Sequence, residues 1–166
     1  MSTRIGIGYD CHRFAPGRRL VLGGVEIEYE HGLAGHSDAD VLAHAIIDAL
    51  LGAAALGDIG QHFPDTDERY RDADSLELLR SAVGILAGAG FQVSNVDATV
   101  MLEAPAVGPH REAIRSSLAE ALQLDRQYVS VKATRGEGMG FVGRGEGAAA
   151  MAVAGVRPLS EAGSAG

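Results

Sequence analysis

From Arg4 to Phe14 the chain alternates. Ile5, Ile7 and Tyr9 fall on one side and Gly6, Gly8, Asp10 and His12 on the other, the two-residue period of a strand. Leu20 to Tyr29 alternates on both sides of Gly23-Gly24, a pair able to take positive φ, and so predicts a hairpin. The pattern then changes. Val41 to Leu56 is an apolar run behind a polar turn, with Ser37 or Asp38 placed to cap a helix. Gly57 to Asp67, with glycine, proline and carboxylates, predicts a loop. Asp74-Ser75-Leu76-Glu77 resembles a capping box, and Leu76, Leu79, Val83 and Leu86 form the stripe of a second helix closing at Gly88 or Gly90. Phe91 to Glu103 reads as a strand, Ala104 to Pro109 as a rigid loop, and Pro109 opens a third helix through Leu122. Tyr128–Thr134 and Ala148–Val156 are the last strands, the second built of very small side chains. Pro158–Gly166 is expected to fray.

This order predicts an α/β fold in one domain, 1–166: a two-layer sandwich whose mixed sheet of about four main strands carries helices on one face, plus a small hairpin. The small-residue face of the sheet is expected to lie uncovered, with a partner subunit as its cover. Composition narrows the class. The 166 residues, 46% hydrophobic and 22% charged, suit a globular protein with a real core. A formal charge of -8 argues against a nucleic acid or an anionic membrane as partner. One cysteine, Cys11, excludes an intramolecular disulfide and a cysteine-rich zinc knuckle. Met1 to Ile5 lacks the apolar stretch of a signal peptide and no run suits a spanning helix, so a cytoplasmic enzyme or binding protein is expected.

The candidate chemistry gathers around Gly35–His44. His36 and Ser37 sit in the polar turn, and His44 lies about one turn into the helix with Asp40 and Asp48 four residues to either side. Taken alone, this reads equally as a capped helix with one buried histidine. Asp10 and His12 share a strand face while Cys11 points away. Asp10, His12 and His44 together make two imidazoles and a carboxylate, the donor set of a catalytic zinc with an open position, with Asp48 as a partner for His44. His31, His62 and His110 lack such context. The acidic loop is either a plain connector or a pocket wall whose carboxylates accept from a polyol. The glycines interleaved with Arg135, Glu137, Arg144 and Glu146 are either a flexible hairpin or a backbone cradle for an anion, without the lysine of a Walker loop.

The blocks Arg-Ile-Gly-Ile-Gly-Tyr-Asp-Cys-His, His-Ser-Asp-Ala-Asp-Val-Leu-Ala-His, Asp48 through Asp67 and Gly-Arg-Gly-Glu-Gly run in order along the chain to about Val156. Together they closely resemble the 2-C-methyl-D-erythritol 2,4-cyclodiphosphate synthase family of the non-mevalonate isoprenoid route. The resemblance implies a homotrimer with active sites between subunits. It implies conversion of 4-diphosphocytidyl-2-C-methyl-D-erythritol 2-phosphate to the cyclic diphosphate with release of CMP. It implies Zn²⁺ on Asp10, His12 and His44, and Mg²⁺ or Mn²⁺ on the diphosphate with Glu137 as the matching ligand. His36, Ser37, Thr134 and Glu137 match catalytic positions. Asp10, His12, His36, Ser37, Asp58, Ile59, Gly60, Phe63, Pro64, Asp65, Thr66 and Asp67 match substrate-binding positions. Leu102, Glu103, Ala104, Pro105, Ala106, Val107, Gly108, Lys132, Ala133, Thr134 and Arg135 match the nucleotide side. Tyr9, Phe141 and Arg144 match a cavity on the trimer axis that takes an isoprenoid diphosphate. The chain departs from the pattern at Arg135, where relatives carry a small hydroxyl residue, and at Ala106, where many carry lysine. The rival readings are a zinc-dependent phosphohydrolase and a non-catalytic trimeric module that binds metabolites.

Overall fold

The computed structural model describes residues 2–159. A mixed sheet of five strands has the order β4-β1-β7-β5-β6, with β1 at Arg4–Pro16, β4 at His31–Leu33, β5 at Phe91–Met101, β6 at Val129–Thr134 and β7 at Gly147–Pro158. β7 lies antiparallel between β1 and β5, and β5 and β6 run parallel. A parallel pair needs a long crossover, and here the helix α4 (Arg111–Leu122) supplies it. β2 (Leu20–Leu22) and β3 (Val25–Ile27) form the expected hairpin, with Gly23 at φ 57 and Gly24 at φ 75 in its turn. The helices α1 (Val41–Ala53), α3 (Ser75–Gly88) and α4 enclose the core on one face of the sheet. Among the described residues no helix is long and apolar enough to cross a membrane.

The first helix starts later than the sequence suggests. Its cap is Asp40, not Ser37 or Asp38. Asp40 is fully buried and accepts from the N–H groups of Ala43 at 3.0 Å, Gly23 at 2.9 Å and Gly24 at 2.7 Å. One carboxylate thus caps α1 and binds the hairpin turn to it, a tertiary role that a local capping pattern does not reveal. The acidic stretch after α1 is not loop throughout, because Asp58 caps a short helix, α2 (Ile59–His62). The glycine-rich stretch is not a hairpin. It turns through a short helix, α5 (Gly140–Gly143). Pro158 ends β7 instead of fraying, paired with Phe91, and the rest of the expected tail beyond Leu159 lies outside the described residues.

The two faces of the sheet are the reverse of what the sequence suggests. Ala148, Ala150, Ala152 and Ala154 are buried on the helix side, in register with His12, Asp10, Gly8 and Gly6. Small side chains therefore line the covered face, where a helix must approach closely. The open face carries the larger groups instead: Ile5 is 73% exposed, Ile7 65% and Tyr9 51%, beside Met151 and Val153.

α1 lies against β1 with no room for side chains between them. A Cβ on Gly6 would sit 2.0 Å from the carbonyl oxygen of Ala49, and one on Gly8 1.9 Å from that of Ala45. Both contacts are with backbone, which cannot swing aside. Gly8→Ala is expected to destabilise the fold by about 3 kcal/mol or more, the upper end for overpacking. The check is a lower urea midpoint with an unchanged slope.

Candidate active site

β1 ends its helix-facing row with Asp10 and His12, and α1 brings His44 over that row in its first turn. Asp10 Oδ2 lies 2.9 Å from His12 Nε2 and 3.0 Å from His44 Nδ1, and the two imidazole nitrogens are 3.2 Å apart. A tetrahedral ion with bonds of about 2.0–2.1 Å needs donor atoms roughly 3.3 Å from one another. The three donors fit such an ion, and they are the candidate metal cluster among the described residues. His12 is oriented for this role, because its Nδ1–H donates to the carbonyl of Ala34 at 2.9 Å and Nε2 is left facing the site.

The electrostatics match a cation site. Burial pushes the Asp10 carboxyl up, but its close contacts with the His12 and His44 imidazoles outweigh this and hold it at about 2. Burial pulls the His12 imidazole down, yet the Asp10 hydrogen bond and charge raise it above its ordinary value. Asp48 is raised, first by burial and then by Asp58 and Asp10, against the N–H of Ile59.

The triad opens into a cavity of about 440 Å³ walled by His36, Ser37, Asp48, Ile59, Gly60, Phe63, Pro64 and Asp65, with Tyr70 and Leu78. A second cavity, of about 200 Å³, is lined by Leu102, Pro105, Ala106, Val107, Gly108, Ala133, Thr134 and Arg135, together with Arg111. The two share no residue.

A profile of the YgbB family matches residues 3–157. The chain belongs to the YgbB family. It is 60% identical over 149 residues to a 2-C-methyl-D-erythritol 2,4-cyclodiphosphate synthase of Salinibacter ruber, covering 90% of this chain and 95% of that one. In structure it resembles the bifunctional IspDF of Campylobacter jejuni, with a TM-score of 0.92 and 42% identity, over 95% of this chain and 43% of that longer one. It also resembles the CDP complex of IspF from Plasmodium falciparum, with a TM-score of 0.84 and 30% identity, over 96% and 98% of the two chains.

Within this member of the YgbB family, several expected site residues stand apart from both cavities. Asp58 accepts from the N–H of Gln61 as a helix cap, and Asp67 holds Arg69 at 2.6 Å. Thr66, Glu103, Ala104 and Lys132 line neither cavity, and Lys132 pairs with Asp97 at 2.7 Å. Glu103 instead accepts from the N–H of Gly136 at 2.9 Å and so holds the loop that carries Glu137. Glu137 takes a positive φ of 52 in that loop. Tyr9 stands on the open face, and Arg144 is exposed and paired with Glu146 at 2.7 Å.

Asp48 is not the partner of His44. Its carboxylate accepts from the N–H of Ile59 at 2.8 Å, while His44 Nε2 meets the hydroxyls of Ser75 at 2.9 Å and Ser37 at 3.1 Å. Sequence reasoning also missed Arg18. Its guanidinium donates to the carbonyls of Leu33 at 3.1 Å, Gly35 at 3.3 Å and Ser37 at 2.7 Å, pinning the loop that presents His36. No local signal marks Arg18 or Ser75, since their partners lie far along the chain.

Metal binding needs neutral imidazoles, so a raised His12 makes protons competitors of the ion. The apparent zinc affinity is expected to fall as pH drops through the His12 range and to level off above it, as titration with a competing chelator would read. His44→Ala is expected to lose more than about 100-fold in zinc affinity, because partners standing behind a ligand are already worth 10–100-fold.

Proposed function

We propose that this chain converts 4-diphosphocytidyl-2-C-methyl-D-erythritol 2-phosphate to 2-C-methyl-D-erythritol 2,4-cyclodiphosphate and CMP. The observation that carries the reading is the Asp10, His12 and His44 cluster at the mouth of a cavity, in a chain of this family. An oxygen of the substrate's own 2-phosphate bonds to the β-phosphorus. The bond from that phosphorus to the oxygen bridging the α-phosphate breaks, and the electron pair leaves with CMP. No protein nucleophile is required, and Cys11 faces away from the site on the exposed side of β1. Catalysis then consists of positioning and charge neutralisation.

A zinc-type ion on Asp10, His12 and His44 supplies Lewis acidity toward the β-phosphate when bound, and Glu137 is the residue assigned to a second ion, Mg²⁺ or Mn²⁺. His36 and Ser37 contact the attacking phosphate, and Thr134 acts from the nucleotide side. The wall from Ile59 to Asp65 holds the erythritol part: the Asp65 carboxylate accepts from hydroxyls, and Phe63 and Pro64 exclude water. Asp58, Thr66 and Asp67 shape that wall. The second cavity, with Leu102 and Pro105 to Gly108 on one side and Ala133 to Arg135 on the other, receives the cytidine, and Glu103, Ala104 and Lys132 belong to the segments that frame it. Arg135, in place of a small hydroxyl residue, adds a cation toward the phosphates there.

The active form is a homotrimer in the cytoplasm, one domain per subunit, with the triad cavity of one subunit facing the nucleotide cavity of the next. The exposed apolar row Ile5, Ile7, Tyr9, Met151 and Val153 supports this reading, since a monomer rarely leaves so continuous an apolar face in water. Tyr9, Phe141 and Arg144 face the trimer axis, where Arg144 pairs with the diphosphate of an isoprenoid and the aromatics meet its tail.

Two measurements test the proposal. Phosphorus NMR with the cytidyl substrate is expected to show cyclic diphosphate and CMP, lost on chelation and restored by zinc with magnesium. Release of inorganic phosphate would instead assign a hydrolase. Ile7→Asp is expected to leave the secondary structure intact while shifting the sedimentation of the wild-type trimer to that of a monomer; an unchanged trimer would refute the assignment of that face.

A further inference from the structure

His44 presents its two ring nitrogens to different neighbours. Nδ1 faces Asp10 and His12, whereas Nε2 meets Ser75 Oγ at 2.9 Å and Ser37 Oγ at 3.1 Å. Ser75 opens α3 and is fully buried. Asp38 grips it twice: the Ser75 N–H donates to Oδ2 at 3.0 Å, and the Ser75 hydroxyl hydrogen-bonds Oδ1, which also accepts from the N–H of Asp40 at 3.1 Å. The run Asp38, Ser75, His44 and triad thus crosses from the loop before α1, through the start of α3, into the site.

Proton counting gives that run a direction. A carboxylate only accepts, so the single hydroxyl proton of Ser75 goes to Asp38. Ser75 Oγ then has nothing but lone pairs to offer His44. Nε2 must therefore carry a proton, and Nδ1, which faces the Asp10 carboxylate at 3.0 Å and His12 at 3.2 Å, is the nitrogen left for an ion that takes the place of any proton there. Ser37 does not reverse this. If its hydroxyl donated to Nε2, the imidazole lone pair would face an oxygen of Ser75 with no proton left, at 2.9 Å. The Ser37 oxygen accepts from the N–H of Ala39 at 3.2 Å and shares the Nε2–H through its other lone pair.

We propose that Asp38 and Ser75 are positioning residues that hold His44 as its Nε2–H tautomer and thereby set the metal affinity of the triad. The role resembles that of a carboxylate behind a metal-bound histidine, here transmitted through a buried hydroxyl. The inference rests on the triad being a metal site. Its decisive readout does not need the metal.

Long-range proton–nitrogen NMR of the metal-free protein, above the ordinary imidazole range of about 6.5, is expected to find His44 protonated at Nε2. Asp38→Asn is nearly isosteric but places an amide donor against Ser75. The hydroxyl then turns its proton to Nε2, the tautomer reverses, and zinc affinity falls about 10–100-fold in competition with a chromophoric chelator. Ser75→Ala is expected to weaken zinc comparably, while Ser75→Thr, which keeps the hydroxyl, restores it. A wild-type His44 bare at Nε2 would overturn the proposal. So would wild-type zinc affinity in folded Asp38→Asn, or a loss of affinity there with the tautomer unchanged, which marks a merely structural role. If Asp38→Asn does not fold, the wild-type tautomer and the Ser75 pair decide. Should the wild-type protein take up no zinc at all, the metal reading fails, and the tautomer still tests the positioning of His44.

Discussion

The contact of the β1 backbone with the α1 backbone is the constraint from which the site follows. Two glycines on the helix-facing row of β1 let the strand meet the carbonyls of Ala45 and Ala49 directly. The same row continues into Asp10 and His12, and the same helix carries His44 one residue before Ala45. Strand and helix are thus held at a spacing that leaves donor atoms 2.9–3.2 Å apart. Metal sites tolerate deviations of only about 0.2 Å in their bonds. A side chain between the two elements would move the donors by far more than that. The glycines are as much a part of the site as its ligands, although neither approaches them chemically.

The covered and open faces of the sheet follow from the same packing. Alanines of β7 continue the low surface that the glycines of β1 begin, so α1 lies across both strands. The bulkier apolar groups are displaced to the other face, where no helix among the described residues covers them. The sequence pattern invites the opposite assignment, because a row of alanines looks too small to need a partner from its own chain. Close helix packing reverses that logic, since small residues are what a near helix requires.

Much of the remainder is legible in the residues. The two-residue alternation of β1 placed Asp10 and His12 together with Cys11 on the far side, and the Gly23-Gly24 turn and the second helix stand where their patterns put them. The metal triad joins two local patterns, a strand end and a helix start, and the blocks shared with known relatives made the join visible. What escaped notice depends on contacts across the fold. Asp48 and His44 have helical spacing, but α2 claims the Asp48 carboxylate. Asp40 caps its own helix and also binds the hairpin turn, which lies 16 and 17 residues away in sequence. Ser75 reaches His44 from a helix beginning 31 residues later. Periodicity reports which face a residue lies on, and leaves open which distant element will meet that face.

The convergence of segments on the triad has a thermodynamic side. Donors from a strand and from a helix more than thirty residues away meet only when β1, α1 and the intervening hairpin are assembled together. An unfolded chain has no such arrangement, so an ion that prefers these donors binds the native state almost alone. Each tenfold rise in free ion above its dissociation constant then adds about 1.4 kcal/mol to stability. A melting temperature for this protein is consequently a property of the chain and of the metal activity around it, and a chelating buffer acts on the molecule as a mild denaturant.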